Sequence, residues 1–336
     1  MKASEKQGSS IGRCTDVGRI RAANEDSMGD LPVKNGHVLI VADGMGGYRG
    51  GALASHLVIE AIEEYFRDAS IEHPQKTLRQ AIYLANERIY LRGQQDEELS
   101  RMGSTCVLAC VQNDQLYVGH VGDSRIYLSR EDGSFRQLTK DHTVVQHFVD
   151  VGLLSQEEAE NHPDGHILSR ALGPRAYVEP EIAEKPLQLL SGDRVVLCSD
   201  GLTKMLSDKQ IEEFVQESMN VQEIADRYIE VANEKGGEDN ITVIVFEYMP
   251  ENDIQEVVHH ENKIETSTQK ESITTSEPSE LSEETQEAEQ PTKEPLHDED
   301  SEESLEQLQT KIEDSKVEES QVVHELDPET DSSKEK

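Results

Sequence analysis

Tryptophan is absent from this 336-residue chain, and aromatic residues make up only 4% of it. That leaves little for the stacking platforms on which single-stranded nucleic acids are held. Positive charge is also scarce. The chain has 32 Lys+Arg against 69 Asp+Glu, a formal net charge of −37. This is the wrong sign for gripping a phosphate backbone or an anionic membrane surface. No run of about 18 apolar residues occurs, so nothing reads as a membrane-spanning helix. The opening MKASEKQGSSIG lacks the apolar stretch of a secretory signal. The expectation is a cytoplasmic protein with no nucleic-acid partner and no membrane insertion. The four cysteines, Cys14, Cys106, Cys110 and Cys198, form no C-x-x-C pair. A zinc site is therefore not expected, and the thiols read as buried and reduced.

The acidic charge is unevenly placed. Residues 250–336 hold 28 acidic and 7 basic residues and contain no Phe, Tyr, Trp or Arg. Such a segment cannot bury enough apolar surface to offset its chain entropy. It is read as a disordered acidic tail, rich in Glu, Ser and Thr. Residues 1–249 are read as the folded domain.

Within that domain the first apolar run is HVLIVADG, ending at Gly44. It is continuous rather than alternating, the mark of a strand buried on both faces. A Gly-rich turn follows, and then a helical stripe of Leu53, Leu57, Ala61 and Tyr65. A second helix is expected over about 75–92. Residues 104–130 read as consecutive strands joined by Asn113-Asp114, Gly122-Asp123 and Asp132-Gly133 turns. Residues 141–165 are polar with two short helical stretches, an expected flap. VEPEIAEKP, DRVVLCSDG and NITVIVFEY are three further strand candidates, with helices expected near 207–216 and 221–235 between the last two. Grouped strands flanked by helix pairs predict an α+β layered fold rather than a doubly wound parallel sheet.

Carboxylates recur where apolar runs end. Asp43 closes LIVAD, Asp200 closes VVLCSD, Asp123 follows YVGHVG, Asp239 precedes ITVIVF, and Glu25 and Asp26 follow Arg21. One Asp-Gly is most often only a turn, but a fold that gathers these acids would need a cation between them. Hard divalent ions such as Mg²⁺ and Mn²⁺ take oxygen ligands of this kind. Spacing alone leaves a two-metal hydrolase as one reading among several.

Eight stretches, in order, resemble the metal-dependent (type 2C) serine/threonine protein phosphatases, and the bacterial branch more than the animal one. They are RAANEDS, VADGMGG, GSTCVLACV, VGDSRIYL, LTKDHTVVQ, LSRALG, LCSDGLTKML and GGEDNITVIV, spread over residues 10–248. The resemblance implies a four-layer β-sandwich flanked by helix pairs, with two Mn²⁺ or Mg²⁺ ions at one end. Asp43 would bridge the ions, with the Gly44 carbonyl on one and Asp200 and Asp239 on the other. Glu25 and Asp26 would hold coordinated waters. Asp123, with Asp200, would anchor a third, weaker ion. Arg21 would grip the substrate phosphate, its planar fork matching two oxygens. A metal-activated water would attack phosphorus with no covalent intermediate, so Cys198 is not read as a nucleophile.

One departure concerns Met45, which stands where animal relatives carry a histidine proposed as general acid. His142 and His120 are candidates to replace it by sequence proximity only. His147, His162 and His166 default to surface or packing roles, and Ser169 and Arg170 to structural hinges. The implied activity is hydrolysis of phosphoserine and phosphothreonine in proteins, opposing a bacterial Ser/Thr kinase, by a monomer. The competing readings are a catalytically silent binding module of the same fold and a scaffold acting through its tail.

Overall fold

The computed structural model describes residues 9–250, apart from residues 48, 69–70 and 161. The expected acidic tail lies outside the described residues.

In chain order the elements are β1 (Ser10–Asp16), β2 (Asp26–Val33), β3 (Gly36–Met45), α1 (Gly50–Asp68), α2 (Pro74–Gln94), β4 (Gly103–Ser104), β5 (Cys106–Gln112), β6 (Gln115–Val121), β7 (Arg125–Ser129) and β8 (Phe135–Gln137). They continue with α3 (Val144–Asp150), α4 (Gln156–Glu160), β9 (Glu181–Ile182), β10 (Leu187–Gln188), β11 (Arg194–Cys198), α5 (Asp200–Met205), α6 (Asp208–Val215), α7 (Val221–Glu234) and β12 (Ile241–Glu247).

The strands form two sheets. One runs β1-β12-β11-β7-β8, and the other β10-β6-β5-β3-β2, with β4 on β3 and β9 on β6. The continuous apolar runs are explained by what covers each face. In β3, Val38, Ile40 and Ala42 pack with Ala54, Val58, Ile62, Leu78 and Ile82 from α1 and α2. Leu39 and Val41 instead meet Ile126, Val195, Leu197 and Phe246 of the opposite sheet. In β12, Val243 and Val245 pack with Ile224, Tyr228 and Ala232 of α7, while Ile244 and Phe246 face the other sheet. Each central strand is thus sandwiched, so its period-2 pattern has no polar half. The architecture is the expected four-layer αββα.

Several local expectations need correction. VEPEIAEKP supplies only β9 and a connection to the equally short β10, not a full strand. The sequence reading passed over β1, β2 and the short α5. The flap does carry two short helices, α3 and α4. Its root is fixed by Arg125, whose guanidinium donates to Asp141 at 2.8–3.1 Å, and by Ser169 N donating to the His142 carbonyl at 2.8 Å. Cys106, Cys110 and Cys198 are buried and all four thiols are free.

Candidate metal centre

Asp43 and Asp26 face each other across the β2–β3 pairing, at the end of the sandwich where β3 stops. Backbone contacts hold this end. Asp43 N donates to Thr105 Oγ1 (2.9 Å), Thr105 N and Ser104 Oγ both donate to the Asp43 carbonyl (2.9 and 3.1 Å), and Gly44 N donates to the Glu25 carbonyl (3.1 Å). Gly44 is required by space. A Cβ there would lie 2.0 Å from the Gly51 carbonyl oxygen and 2.5 Å from that of Glu25.

The other carboxylates arrive from the opposite sheet. β11 ends at Cys198, Ser199 stands at the N-cap position of α5, and Asp200 opens that helix. Ser199 Oγ donates to Asp26 Oδ2 at 2.7 Å and accepts from Thr242 N at 3.0 Å. Buried Asn240 accepts from Glu25 N (2.8 Å) and donates to the carbonyls of Val17 and Ala23 (both 2.9 Å), which ties the Arg21–Asp26 loop to the start of β12. Asp123 lies on the β6–β7 connection, where the chain passes from one sheet to the other. Two cations complete the arrangement. Arg21 donates to Asp239 through Nε (2.9 Å) and Nη2 (3.0 Å), and Lys204 Nζ lies 2.7 Å from Asp200 Oδ2 and 2.8 Å from Asp239 Oδ2.

These groups enclose a cleft of about 590 Å³ lined by Arg21, Glu25, Asp43, Gly44, Met45, Asp123, His166, Asp200, Lys204 and Asp239. Asp26 is not among the lining residues and is held behind the cleft by Ser199. Burial, and then the neighbouring carboxylates, push the Asp43 carboxyl well above the usual range. Burial opposed by the Ser199 and Thr242 bonds, with Asp200 and Asp239 adding repulsion, leaves Asp26 pushed up to about 7. Burial with the charges of Asp200 and Asp141 pushes Asp123 up to about 8. Asp239 differs. Burial alone would raise it, but Lys204, the Asn240 N–H and Arg21 together hold it below the usual range. Asp26 Oδ1 and Asp200 Oδ1 are buried without a hydrogen-bond partner. Mutually repelling carboxylates with unsatisfied buried oxygens suit hard divalent cations, which would offset both costs at once.

The family profile for protein phosphatase 2C matches residues 20–240, the span that contains every one of these groups. This chain belongs to the protein phosphatase 2C family. It is 40% identical over 238 residues to a serine/threonine phosphatase, stp, of Listeria welshimeri, covering 69% of this chain and 93% of that one. The structure of the Streptococcus agalactiae serine/threonine phosphatase superposes with a TM-score of 0.67 at 33% identity, covering 72% of this chain and 99% of that one. The catalytic domain of the serine/threonine phosphatase PstP, solved in complex with two manganese ions, superposes with a TM-score of 0.63 at 37% identity, covering 72% and 98%.

In this protein phosphatase 2C chain the two histidines suggested for proton delivery sit away from the cleft lining. His120 and His142 are buried and stacked, with ring centroids 4.6 Å apart. His142 Nδ1 accepts from Gly122 N at 3.2 Å, and its Nε2 lies 3.3 Å from both Glu181 Oε2 and Arg170 Nη1. Burial holds both rings below the usual imidazole range, His142 at about 4, and they stay neutral. His120, His142 and Glu181 bring ligand atoms within 4.8 Å of one another. A metal on His142 Nε2 would force the ring proton onto Nδ1 and break the Gly122 bond, so this trio reads as structural. The histidine that does border the cleft is His166, which the sequence reading left as surface or packing. Lys204 was also passed over, although its position four residues after Asp200 on a helix places both on one face.

Proposed function

We propose that residues 1–249 form a Mn²⁺- or Mg²⁺-dependent phosphatase domain that hydrolyses phosphoserine and phosphothreonine in proteins, with residues 250–336 as an appended acidic tail. The observation that carries it is the convergence of Asp43, Asp123, Asp200 and Asp239, drawn from both sheets, on one cleft beside Arg21, with Asp26 directly behind it. Asp43, the Gly44 carbonyl, Asp200 and Asp239 would hold two cations. Glu25 and Asp26 would order the water around them, and Asp123 with Asp200 would offer a weaker third position.

When bound, the divalent ions acidify water for attack on phosphorus and neutralise charge on the phosphoryl oxygens. The remaining work falls to the chain. Arg21 stands at the cleft mouth with one guanidinium edge on Asp239, leaving Nη1 to take a phosphoryl oxygen and orient the ester in line. Asp239 fixes that guanidinium. No side-chain nucleophile is needed, and burial keeps the Cys198 thiol protonated, pushed up to about 12. Met45 at the cleft carries no proton to give, so the leaving oxygen takes its proton from water or from another group at the cleft.

Substrates are phosphorylated proteins, and the chain opposes a Ser/Thr kinase, acting as a cytoplasmic monomer. Among the described residues, no helix is long and apolar enough to cross a membrane. The test is hydrolysis of a phosphothreonine peptide by the chelated chain as Mn²⁺ is restored, beside Asp200→Asn. Turnover should appear with Mn²⁺ and collapse in the variant. A folded chain that turns over none of several phosphopeptides at any Mn²⁺ concentration would leave a binding module of the same fold. A chain lacking residues 250–336 should keep its peptide turnover.

A further inference from the structure

We propose that Lys204 is a built-in counter-cation of the cleft, which a divalent ion must displace, and that it sets how tightly this chain holds its metal. The inference rests on the reading of Asp200 and Asp239 as cation ligands.

The argument starts from shared oxygens. Lys204 Nζ lies 2.7 Å from Asp200 Oδ2 and 2.8 Å from Asp239 Oδ2, so one ammonium spans two carboxylates that approach from α5 and from the start of β12. Asp239 is engaged on both oxygens: Arg21 Nε and Asn240 N lie on Oδ1, and Arg21 Nη2 and Lys204 on Oδ2. Asp200 keeps Oδ1 buried and unpartnered. A divalent ion entering the cleft therefore finds Asp200 Oδ1 unpartnered and both Oδ2 atoms taken. An ammonium and a dication on the same two oxygens repel at short range. The ammonium has a way out, because its four-carbon stem is flexible and the side chain keeps 35% of its surface exposed. Arg21 has less freedom to yield, with two of its nitrogens forked on Asp239. Lys204 thus neutralises the carboxylate pair when divalent ions are scarce, and it raises the concentration at which they load.

The experiment is calorimetric titration of Mn²⁺ into the chelated full-length chain, comparing wild type, Lys204→Met and Lys209→Met. Lys209 is an exposed lysine on α6 with a loose 3.9 Å pairing to Glu213, so its loss changes net charge equally without touching the cleft. Lys204→Met should tighten Mn²⁺ binding by about tenfold or more, and Lys209→Met by less than about twofold. Thermal unfolding gives a second readout independent of turnover. In chelator Lys204→Met should melt below wild type, and at saturating Mn²⁺ the gap should close or reverse. Lys204→Gln, which keeps an N–H donor but no charge, should shift affinity in the same direction and serves if the Met variant does not fold. A wild type that binds Mn²⁺ while neither Lys204 variant binds tighter overturns this inference alone. A wild type that takes up no Mn²⁺ overturns the metal-centre reading and this inference with it.

Discussion

Ser199 Oγ donates to Asp26 Oδ2 at 2.7 Å, joining the end of β11 in one sheet to the start of β2 in the other. The same hydroxyl accepts from Thr242 N in β12, so one buried side chain closes the seam on which the carboxylates converge. Ser199→Ala should therefore cost about 1–3 kcal/mol of stability, the range for leaving a buried polar group without its partner. It should also weaken Mn²⁺ binding while leaving the fold intact. Denaturant unfolding and a Mn²⁺ titration check the two effects separately.

Proton linkage gives the second expectation. Asp26 and Asp123, pushed up to about 7 and about 8 in the folded chain, return to about 3.9 when it unfolds. Between those values the folded chain holds protons that the unfolded chain has released, so stability falls as pH rises. In chelator the chain should be more stable at pH 5 than at pH 8, and Mn²⁺ should flatten that slope. Mn²⁺ uptake should release protons, more of them near pH 6 than at pH 9. Unfolding midpoints across pH, with and without chelator, would expose the opposite slope if it existed.

Arg21→Ala tests the phosphate grip. Removing a charge-assisted contact to the substrate should lower kcat/KM for a phosphopeptide by roughly 10- to 100-fold. Mn²⁺ affinity should not fall, since Arg21, like Lys204, is a cation on Asp239 and not a ligand. Steady-state kinetics at saturating Mn²⁺ separate the two, and an equal loss in both would assign Arg21 to the support of Asp239.

Gly44→Ala probes the tight backbone approach. Its Cβ would press on the carbonyl oxygens of Gly51 and Glu25, backbone atoms that have no rotamer to escape into. A loss of roughly 1–3 kcal/mol is expected, with turnover falling further than stability. Unfolding midpoints and peptide turnover on the same preparation decide it.

What was legible in the sequence follows from these physics. Asp43 and Asp200 stood out because each closes a run buried on both faces, and the sandwich makes such runs continuous. β2 did not, because DSMGDLPV lies at the sheet edge, half-exposed and carrying a proline. α5 is six residues long and begins inside the motif that ends β11, too short for a helical period to show. His120 and His142 looked like neighbours of the chemistry, yet their partners are Lys140, Gly122, Glu181 and Arg170, contacts set by tertiary packing. Lys204 was within reach of the helical spacing rule, but only once α5 is recognised as a helix.

β12 lies inside its sheet, between β1 and β11, although among the described residues it is the last strand in chain order. β1 must wait for a partner more than 200 residues downstream, and Arg21 waits as long for Asp239. Contacts of such long separation form late and slowly. A chain emerging from the ribosome therefore carries most of its carboxylates without a working cleft. Catalytic competence should therefore arrive only once residues 239–247 have joined the sheet.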